Sequence, residues 1–342
     1  MSNGGRTITA LRAAAGGLGA VTAAVLAAAG GWIVYSAFGV NRRQPLPEAL
    51  AAPRRRFDSP VAGRLSYYAA REAVGRPLVL IHSVNAAASA YEMRPLFERY
   101  RGRRPVYAPD LPGFGHSART ERIYSPALFT AAIADLLQSQ VVEREPADVI
   151  ALSLGAEFAA RAALACPDRV RSLTLVSPTG LGARQEDRAA RRAGQGEGGN
   201  RLPGSLSSPL LGQALYDLLV TPPGIRYFLG QAFEGRVDPG LADYDYLTSH
   251  QPGARHAPLY FISGRLFTPS VRETVYECLS LPVLVLYDRD EFVGFDLLPD
   301  LLRRRPNWRA ERIAPTKGLP HFEQPERTVD VLDRFWGGLD TR

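Results

Sequence analysis

Residues 149–156 read Val-Ile-Ala-Leu-Ser-Leu-Gly-Ala, and they are the most informative segment of the chain. An apolar run meets a single serine, Ser153, with small residues two positions away on either side, Ala151 and Gly155. An alanine-rich helical pattern follows at once, over residues 157–166. The pattern predicts a strand, a sharp turn and a helix, with the serine at the apex, because a tight turn excludes larger neighbours. The alternative is a buried serine between a strand and a helix.

The segments around this stretch alternate between strand and helix patterns. Strands are predicted at residues 55–58, 64–70, 78–81, 105–108, 172–176, 283–287 and 309–313, and helices at 87–100, 126–138, 297–305 and 325–336. Such alternation predicts an α/β fold with a mostly parallel sheet covered on both faces.

The alternation stops after Ser177. Residues 183–209 are polar and rich in Gly, Arg, Ser and Pro, which indicates a mobile loop. Helical patterns follow at 210–220, 224–233 and 270–279. We expect this insertion, at about residues 180–280, to form a helical cap over the carboxyl ends of the strands, where ligands bind in such sheets.

The N-terminal segment differs from the rest of the chain. Residues 13–40 contain no charged residue and are long enough to cross a bilayer. We predict an N-terminal apolar helix that serves as a single membrane anchor, followed by a linker to residue 53 and the main domain at 54–342. There are two alternatives. One is a cleaved signal peptide, which implies a secreted protein, and the other is a buried or disordered helix, which implies a cytoplasmic protein.

Composition excludes several classes of function. The formal charge is +7, Lys317 is the only lysine, and the sequence has no recognised nucleic-acid-binding motif. Cys166 and Cys278 lie far apart, in helix-like segments. They predict free thiols in the core and suggest neither a disulfide framework nor a metal site. We therefore expect no cofactor, no metal and no nucleic-acid partner; the oligomeric state stays open.

A serine hydroxyl needs a base that is itself oriented by an acid. Of the five histidines, His321 follows the last predicted strand and is the preferred base; a structural histidine under the last helix is the alternative. The acid is expected at the end of an earlier strand. Asp290 is preferred there, followed by Glu291 and Asp288.

An oxyanion requires backbone donors. The N–H of Leu154, next to the serine, and the N–H of Val84, in the loop after the strand at 78–81, are the candidates. Asn85 lies in the same loop and either contacts the substrate or forms a turn.

Taken together, these motifs resemble the α/β-hydrolase fold family from about Arg55 to the C-terminus. The resemblance rests on His82-Ser-Val-Asn85, Asp110-Leu-Pro-Gly-Phe-Gly-His-Ser117, Ala151-Leu-Ser-Leu-Gly155, Asp290, and His321-Phe-Glu-Gln-Pro-Glu326. It implies Ser153 as nucleophile, His321 as base, Asp290 as acid, and Val84 and Leu154 as oxyanion donors.

The chain departs from the family pattern at three positions. Ala151 replaces the usual glycine before the nucleophile, and Ser83 replaces the glycine of the usual His-Gly pair. Near His321 the family often reads Gly-His-x-x-His-x-Glu-x-Pro-Glu, with the first histidine catalytic. An ungapped match places Gly318 at that first histidine and His321 at the second.

These residues predict a serine hydrolase that acts on a small carboxylic ester or related acyl substrate. The cap supplies apolar residues that suit an acyl or aromatic group: Leu210, Leu211, Leu215, Tyr216, Leu218, Leu219, Phe228 and Leu229. The alternatives are a binding protein that keeps the fold without the chemistry, and an acyltransferase, which shares the acyl-enzyme.

Overall fold

The computed structural model describes residues 25–183 and 202–341. In this part of the chain eight strands form one sheet, in the order β1-β2-β4-β3-β5-β6-β7-β8. Their bounds are β1 Arg54–Ser59, β2 Gly63–Ala70, β3 Leu78–Ile81, β4 Val106–Asp110, β5 Ala147–Leu152, β6 Val170–Val176, β7 Val283–Tyr287 and β8 Trp308–Arg312. The first two strands pair antiparallel, β2 also runs antiparallel to β4, and all other pairs are parallel. The predicted α/β fold is confirmed.

Successive residues of the central strands enter opposite cores. In β5, Val149 and Ala151 belong to one buried cluster, whereas Ile150 and Leu152 belong to the other. Because side chains alternate across a strand, a strand covered on both faces is apolar throughout. The continuous apolar run before Ser153 therefore marks a central strand.

Helices cover the two faces of the sheet. The helices outside the insertion are Arg94–Tyr100, Pro126–Ser139, Gly155–Ala165, Leu298–Arg304, Pro320–Glu323 and Pro325–Asp340, and short 3₁₀ turns lie at Ala90–Met93 and Pro167–Arg169. The helix predicted at 87–100 starts later than expected. A 3₁₀ turn precedes Arg94, and Pro95 stands in the first turn of the helix, where its missing N–H costs nothing.

The insertion between β6 and β7 is helical. Its described helices are Gly204–Ser207, Pro209–Leu219, Pro222–Ala232, Pro239–Ser249, His256–Ile262 and Val271–Thr274. The three longest, Pro209–Leu219, Pro222–Ala232 and Pro239–Ser249, each begin at a proline after a polar N-cap. The helices predicted at 210–220 and 224–233 are confirmed within two residues, whereas Pro239–Ser249 and His256–Ile262 were not predicted. Most of the predicted loop at 183–209 lies outside the described residues.

The helix predicted at 270–279 is interrupted. It ends at Thr274, and a 3₁₀ turn follows at Tyr276–Cys278. The break lets the buried Tyr276 hydroxyl donate to the Thr179 carbonyl at 2.9 Å. The prediction that both cysteines are core thiols is wrong for Cys278, which is exposed on this turn, whereas Cys166 is buried; both thiols are free.

A helix at residues 25–38 packs against the insertion. Trp32 Nε1 donates to the Ala214 carbonyl at 2.8 Å, and Ser36 Oγ donates to Asp217 at 2.6 Å. Residues 13–24 of the predicted anchor lie outside the described residues. Across 25–183 and 202–341, no helix combines the length and apolar character that a membrane span requires.

Candidate active site

Ser153 lies at the sharp turn between β5 and the helix Gly155–Ala165. Its φ is 52°, in the left-handed region that non-glycine residues seldom adopt. Its N–H donates to the Val176 carbonyl of the neighbouring strand at 2.9 Å. This bond holds the strained residue against the sheet, and strain of this kind is concentrated at functional sites.

The small residues beside the serine have a direct steric cause. A Cβ built on Gly155 would lie 2.3 Å from the His82 carbonyl oxygen. Any other residue at this position would therefore push the helix away from the loop after β3. Ala151 is fully buried in the sheet.

A cavity of about 540 Å³ opens in front of Ser153, under the helices of the insertion. This volume lies in the range of small-molecule sites. Apolar side chains make up most of the wall: Leu152, Leu219, Val220, Ile225, Phe228, Leu229, Leu241, Phe261, Phe267, Phe292, Val293 and Leu319. Three of the apolar cap residues named from the sequence, Leu219, Phe228 and Leu229, line the cavity, whereas Leu210, Leu211, Leu215 and Leu218 are exposed.

The loop after β3 forms another part of the wall, through Ser83, Val84 and Asn85. The buried Glu92 carboxylate holds this loop. It accepts hydrogen bonds from the Ser83 N–H at 2.7 Å, the Ser83 hydroxyl at 2.9 Å and the Asn85 amide at 2.9 Å. Burial raises the pKa of Glu92 to about 7, against the effect of these bonds.

The backbone N–H groups of Val84 and Leu154 are the two predicted oxyanion donors. Within the described residues, neither the Val84 N–H nor the Leu154 N–H donates to another group of the chain. Val84 is a residue of the cavity wall, and Leu154 directly follows Ser153. Unpaired N–H groups beside a nucleophile are the requirement for an oxyanion hole.

Asp290 lines the same cavity. One carboxylate oxygen, Oδ1, accepts from the N–H groups of Phe292 at 2.7 Å and Val293 at 3.1 Å. The other oxygen, Oδ2, faces Gly318, where an added Cβ would lie 2.9 Å from it. Burial raises the pKa of Asp290 to about 6.

The two other candidate acids face elsewhere. Asp288 forms an ion pair with Arg312 at 2.6 Å and accepts from the Thr316 N–H at 2.9 Å. Glu291 is exposed and lies 3.8 Å from the Lys317 ammonium. Neither belongs to the cavity wall.

His321 lies apart from the cavity. Its ring is fully buried, its Nε2 lies 2.7 Å from the Glu92 carbonyl oxygen, and its Nδ1 has no hydrogen-bond partner among the described residues. Burial lowers the pKa of His321 to about 4. The structure thus gathers Ser153, Val84, Asn85 and Asp290 around one cavity, and it does not place the His321 ring in the wall.

Sequence reasoning missed several polar residues of the wall. Asp245 and Glu92 are buried there, and so is Ser177, whose hydroxyl has no hydrogen-bond partner in the described chain. Ser177 directly follows β6 and has a φ of 44°, and the preceding residue, Val176, accepts the hydrogen bond from the Ser153 N–H. Its position directly after a predicted strand was the only signal that could have found it.

In the described ranges, no group of three His, Cys, Asp or Glu residues could hold a metal ion.

Comparison with known proteins agrees with the fold. A model of the alpha/beta hydrolase family matches residues 78–331. A 2-hydroxymuconate semialdehyde hydrolase of Pseudomonas sp. strain CF600 is 31% identical over 109 residues, which cover 31% of this chain and 38% of that protein. The chain therefore matches less than half the length of this curated relative.

Two solved structures illustrate the similarity of fold. A bacterial membrane phospholipase A, described as a virulence factor, is 19% identical with a TM-score of 0.66, and the match covers 98% of each chain. A thermophilic esterase of Thermogutta terrifontis is 18% identical with a TM-score of 0.61, and the match covers 84% of this chain and 99% of that one.

Proposed function

Because the chain belongs to the α/β hydrolase family, we propose that it is a hydrolase that cleaves a carboxylic ester or a related acyl substrate through Ser153. One observation carries the proposal. Ser153 is held at a φ of 52° at the apex of the turn after β5, where it faces a cavity of about 540 Å³. A strained serine at the carboxyl end of a central strand is the arrangement of a nucleophile.

The proposed reaction starts with attack of Ser153 Oγ on the carbonyl carbon of the substrate. The N–H groups of Val84 and Leu154 then donate to the oxyanion of the tetrahedral intermediate. Loss of a single such donor in other enzymes costs about 10²–10³-fold in kcat. Collapse of the intermediate breaks the bond to the leaving oxygen, which takes up the proton lost by Ser153 and departs as the alcohol. Water then attacks the acyl-enzyme, releasing the carboxylic acid and restoring the Ser153 hydroxyl. The apolar wall of the cavity suits an acyl or aromatic group.

In this proposal Asp290 is the acid of the site. The base is the group that accepts the proton of Ser153. The sequence predicts His321 as the base, and that role requires the ring to give up its bond to the Glu92 carbonyl oxygen and to enter the cavity. The buried position of the ring favours the alternative, a structural histidine. Gly318, which the family pattern aligns with the catalytic histidine, is the residue that faces Asp290.

The position of the His321 ring outside the described cavity wall favours a second candidate, a binding protein that keeps the fold without turnover. Such a protein would retain the cavity, while no base would accept the proton of Ser153. Fold alone does not decide between the two functions.

We also propose that the protein attaches to a membrane through its N-terminal region and the insertion. Of the seventeen large apolar residues exposed in the described chain, eleven lie on the helix at 25–38 and on the helices Pro209–Leu219 and Pro222–Ala232. They are Val25, Leu26, Val34, Tyr35, Phe38, Leu210, Leu211, Leu215, Leu218, Tyr227 and Phe228. An exposed apolar surface of this extent, on a chain with a formal charge of +7, fits an anionic lipid surface.

Labelling with a fluorophosphonate tests the main proposal. We expect the parent protein to be labelled at Ser153, and Ser153→Ala to remain unlabelled with an unchanged melting temperature. Hydrolysis of 4-nitrophenyl esters of graded chain length would then define the acyl group. A folded parent that is neither labelled nor active would favour the binding protein.

A further inference from the structure

Two buried carboxyl groups line the same cavity. Glu92 and Asp245 are each 5% exposed. Burial, and after it the charge of Glu92, raises the pKa of Asp245 well above its usual value. Glu92 belongs to the 3₁₀ turn after β3, and Asp245 belongs to the helix Pro239–Ser249 of the insertion. The cavity therefore has one of these carboxyl groups on the loop after β3 and the other on the insertion.

The two carboxyl groups differ in their partners. The oxygens of Glu92 accept bonds from Ser83 and Asn85. Asp245 Oδ1 has no hydrogen-bond partner in the described chain, although it is buried in the cavity wall. A buried polar atom without a partner is unfavourable, so Asp245 Oδ1 is a candidate to accept a hydrogen bond from a ligand.

The charge of the wall indicates the kind of group. Its described residues include three carboxyl groups, those of Glu92, Asp245 and Asp290, and no lysine, arginine or histidine. The remaining wall is mostly apolar. The cavity therefore presents buried acceptors on an apolar background, and nothing in the described wall neutralises them.

We propose that Glu92 and Asp245 bind the protonated amine of an amphiphilic ligand whose apolar part fills the rest of the cavity. The inference rests on the proposed function in that it names the class of substrate, an ester that carries a basic nitrogen. An ammonium group supplies up to three donors. It would satisfy Asp245 Oδ1 and offset the charge of the pair, because charge-assisted hydrogen bonds are stronger than neutral ones.

The ionisation of the pair agrees with this assignment. Burial and the neighbouring Glu92 raise the pKa of Asp245 well above its usual value. A cation between the two carboxyl groups reverses that effect, because an opposite charge favours the ionised form. Ligand binding is thus expected to release protons to the solvent.

Calorimetry on the full chain at pH 8, with three ligands of one chain length, tests the proposal. Octylammonium should bind at least tenfold more tightly than octanol and octanoate. The Asp245→Asn variant should weaken octylammonium binding at least tenfold and change octanol binding less than twofold. Asp243→Asn is the matched control, since it removes the same charge from an exposed position of the same helix.

Two results would overturn the proposal: octanol or octanoate binding as tightly as octylammonium, or an unchanged octylammonium affinity in folded Asp245→Asn. If Asp245→Asn does not fold, the comparison of the three ligands on the parent protein decides alone. Fluorophosphonate labelling of Ser153 is a separate readout. A preference for octylammonium without labelling would therefore refute the proposed hydrolysis and leave the binding site standing.

Discussion

Gly318 passes so close to Asp290 that a Cβ on the glycine would lie 2.9 Å from the carboxylate oxygen Oδ2. Both residues line the cavity that Ser153 faces. A side chain at position 318 would thus contact the candidate acid within the cavity wall. The φ of Gly318 is outside the left-handed region, so its backbone does not demand glycine.

This relationship leads to the first prediction, that Gly318→His raises esterase activity. The new imidazole could bond to Asp290 and accept the proton of Ser153, and a positioned general base contributes about 10²–10⁴-fold. The close contact falls on the end of the flexible Asp290 side chain, which can shift by a few tenths of an ångström. We expect kcat/KM for 4-nitrophenyl butanoate to rise at least tenfold.

Gly318→Ala is the matched control, because it adds the same Cβ without a base. Its activity should stay within threefold of the parent. Adding Asp290→Asn to Gly318→His should remove most of the gain, since the imidazole then loses its carboxylate partner. A folded Gly318→His variant with no gain in activity would argue against the proposed alignment of acid and nucleophile.

The second prediction concerns His321, which we expect to act in stability rather than in catalysis. Burial lowers its folded pKa to about 4, against an ordinary value of 6.5. The unfolded chain therefore binds the proton first as the pH falls. The stability that neutral His321 contributes is complete above pH 6.5 and is lost between pH 6.5 and 4, by about 3 kcal/mol.

Chemical denaturation of the parent and of His321→Gln at several pH values isolates this contribution. The difference in unfolding free energy between the two proteins should shrink as the pH falls from 6.5 to 4, because the variant lacks the titrating ring. The comparison is needed because burial raises the pKa of Glu92 to about 7, which acts in the opposite direction over part of this range. Parallel stability curves would contradict the prediction.

The same variant separates the two roles of His321. We expect kcat/KM of His321→Gln at pH 8 to fall less than fivefold, because the ring bonds to the Glu92 carbonyl oxygen and does not line the cavity. A loss of a hundredfold or more in a folded variant would identify His321 as the base.

Much of the fold could be predicted because it depends on local patterns. The apolar run of β5 predicts a buried strand, and the small residues around Ser153 predict a tight turn; both are confirmed. The family and the parallel sheet follow from the same evidence. The position of Asp290 after β7 required only the order of strands along the chain.

The side-chain arrangement of the site could not be predicted in this way. His321 and Gly318 are three residues apart, and both follow the last strand. Which of them faces Asp290 depends on where the next helix begins, and this helix starts at Pro320. Glu92 and Asp245 are still harder to pair, since they come together only when the insertion folds over the loop after β3.

A third prediction tests the turn of Ser153 itself. Gly155→Ala should lower the melting temperature and abolish fluorophosphonate labelling, because its Cβ would meet the His82 carbonyl oxygen at 2.3 Å, and a backbone atom cannot easily give way. We expect a loss of about 1–3 kcal/mol, which is typical of overpacking.

Gly337→Ala is the control for this substitution. Gly337 lies in the helix Pro325–Asp340, and a Cβ there would meet nothing within 4 Å. Alanine at this position should stabilise the protein by about 0.5–1 kcal/mol, because glycine weakens a helix interior. Equal melting temperatures for the two variants would contradict the steric account of the turn.

The last prediction concerns the exposed apolar surface formed by the helix at 25–38 and the insertion. Leu211 and Leu218 are 49% and 53% exposed on the helix Pro209–Leu219. Replacing both by glutamate should reduce co-sedimentation with phosphatidylglycerol-containing vesicles at least fivefold, because it removes apolar contact and adds charge that anionic lipid repels. A double variant elsewhere supplies the matched control: Val74→Glu with Val142→Glu makes the same change at residues 96% and 63% exposed, outside this surface. If both pairs weaken vesicle binding equally, net charge alone explains the attachment; if the control binds like the parent, the apolar surface is the docking site.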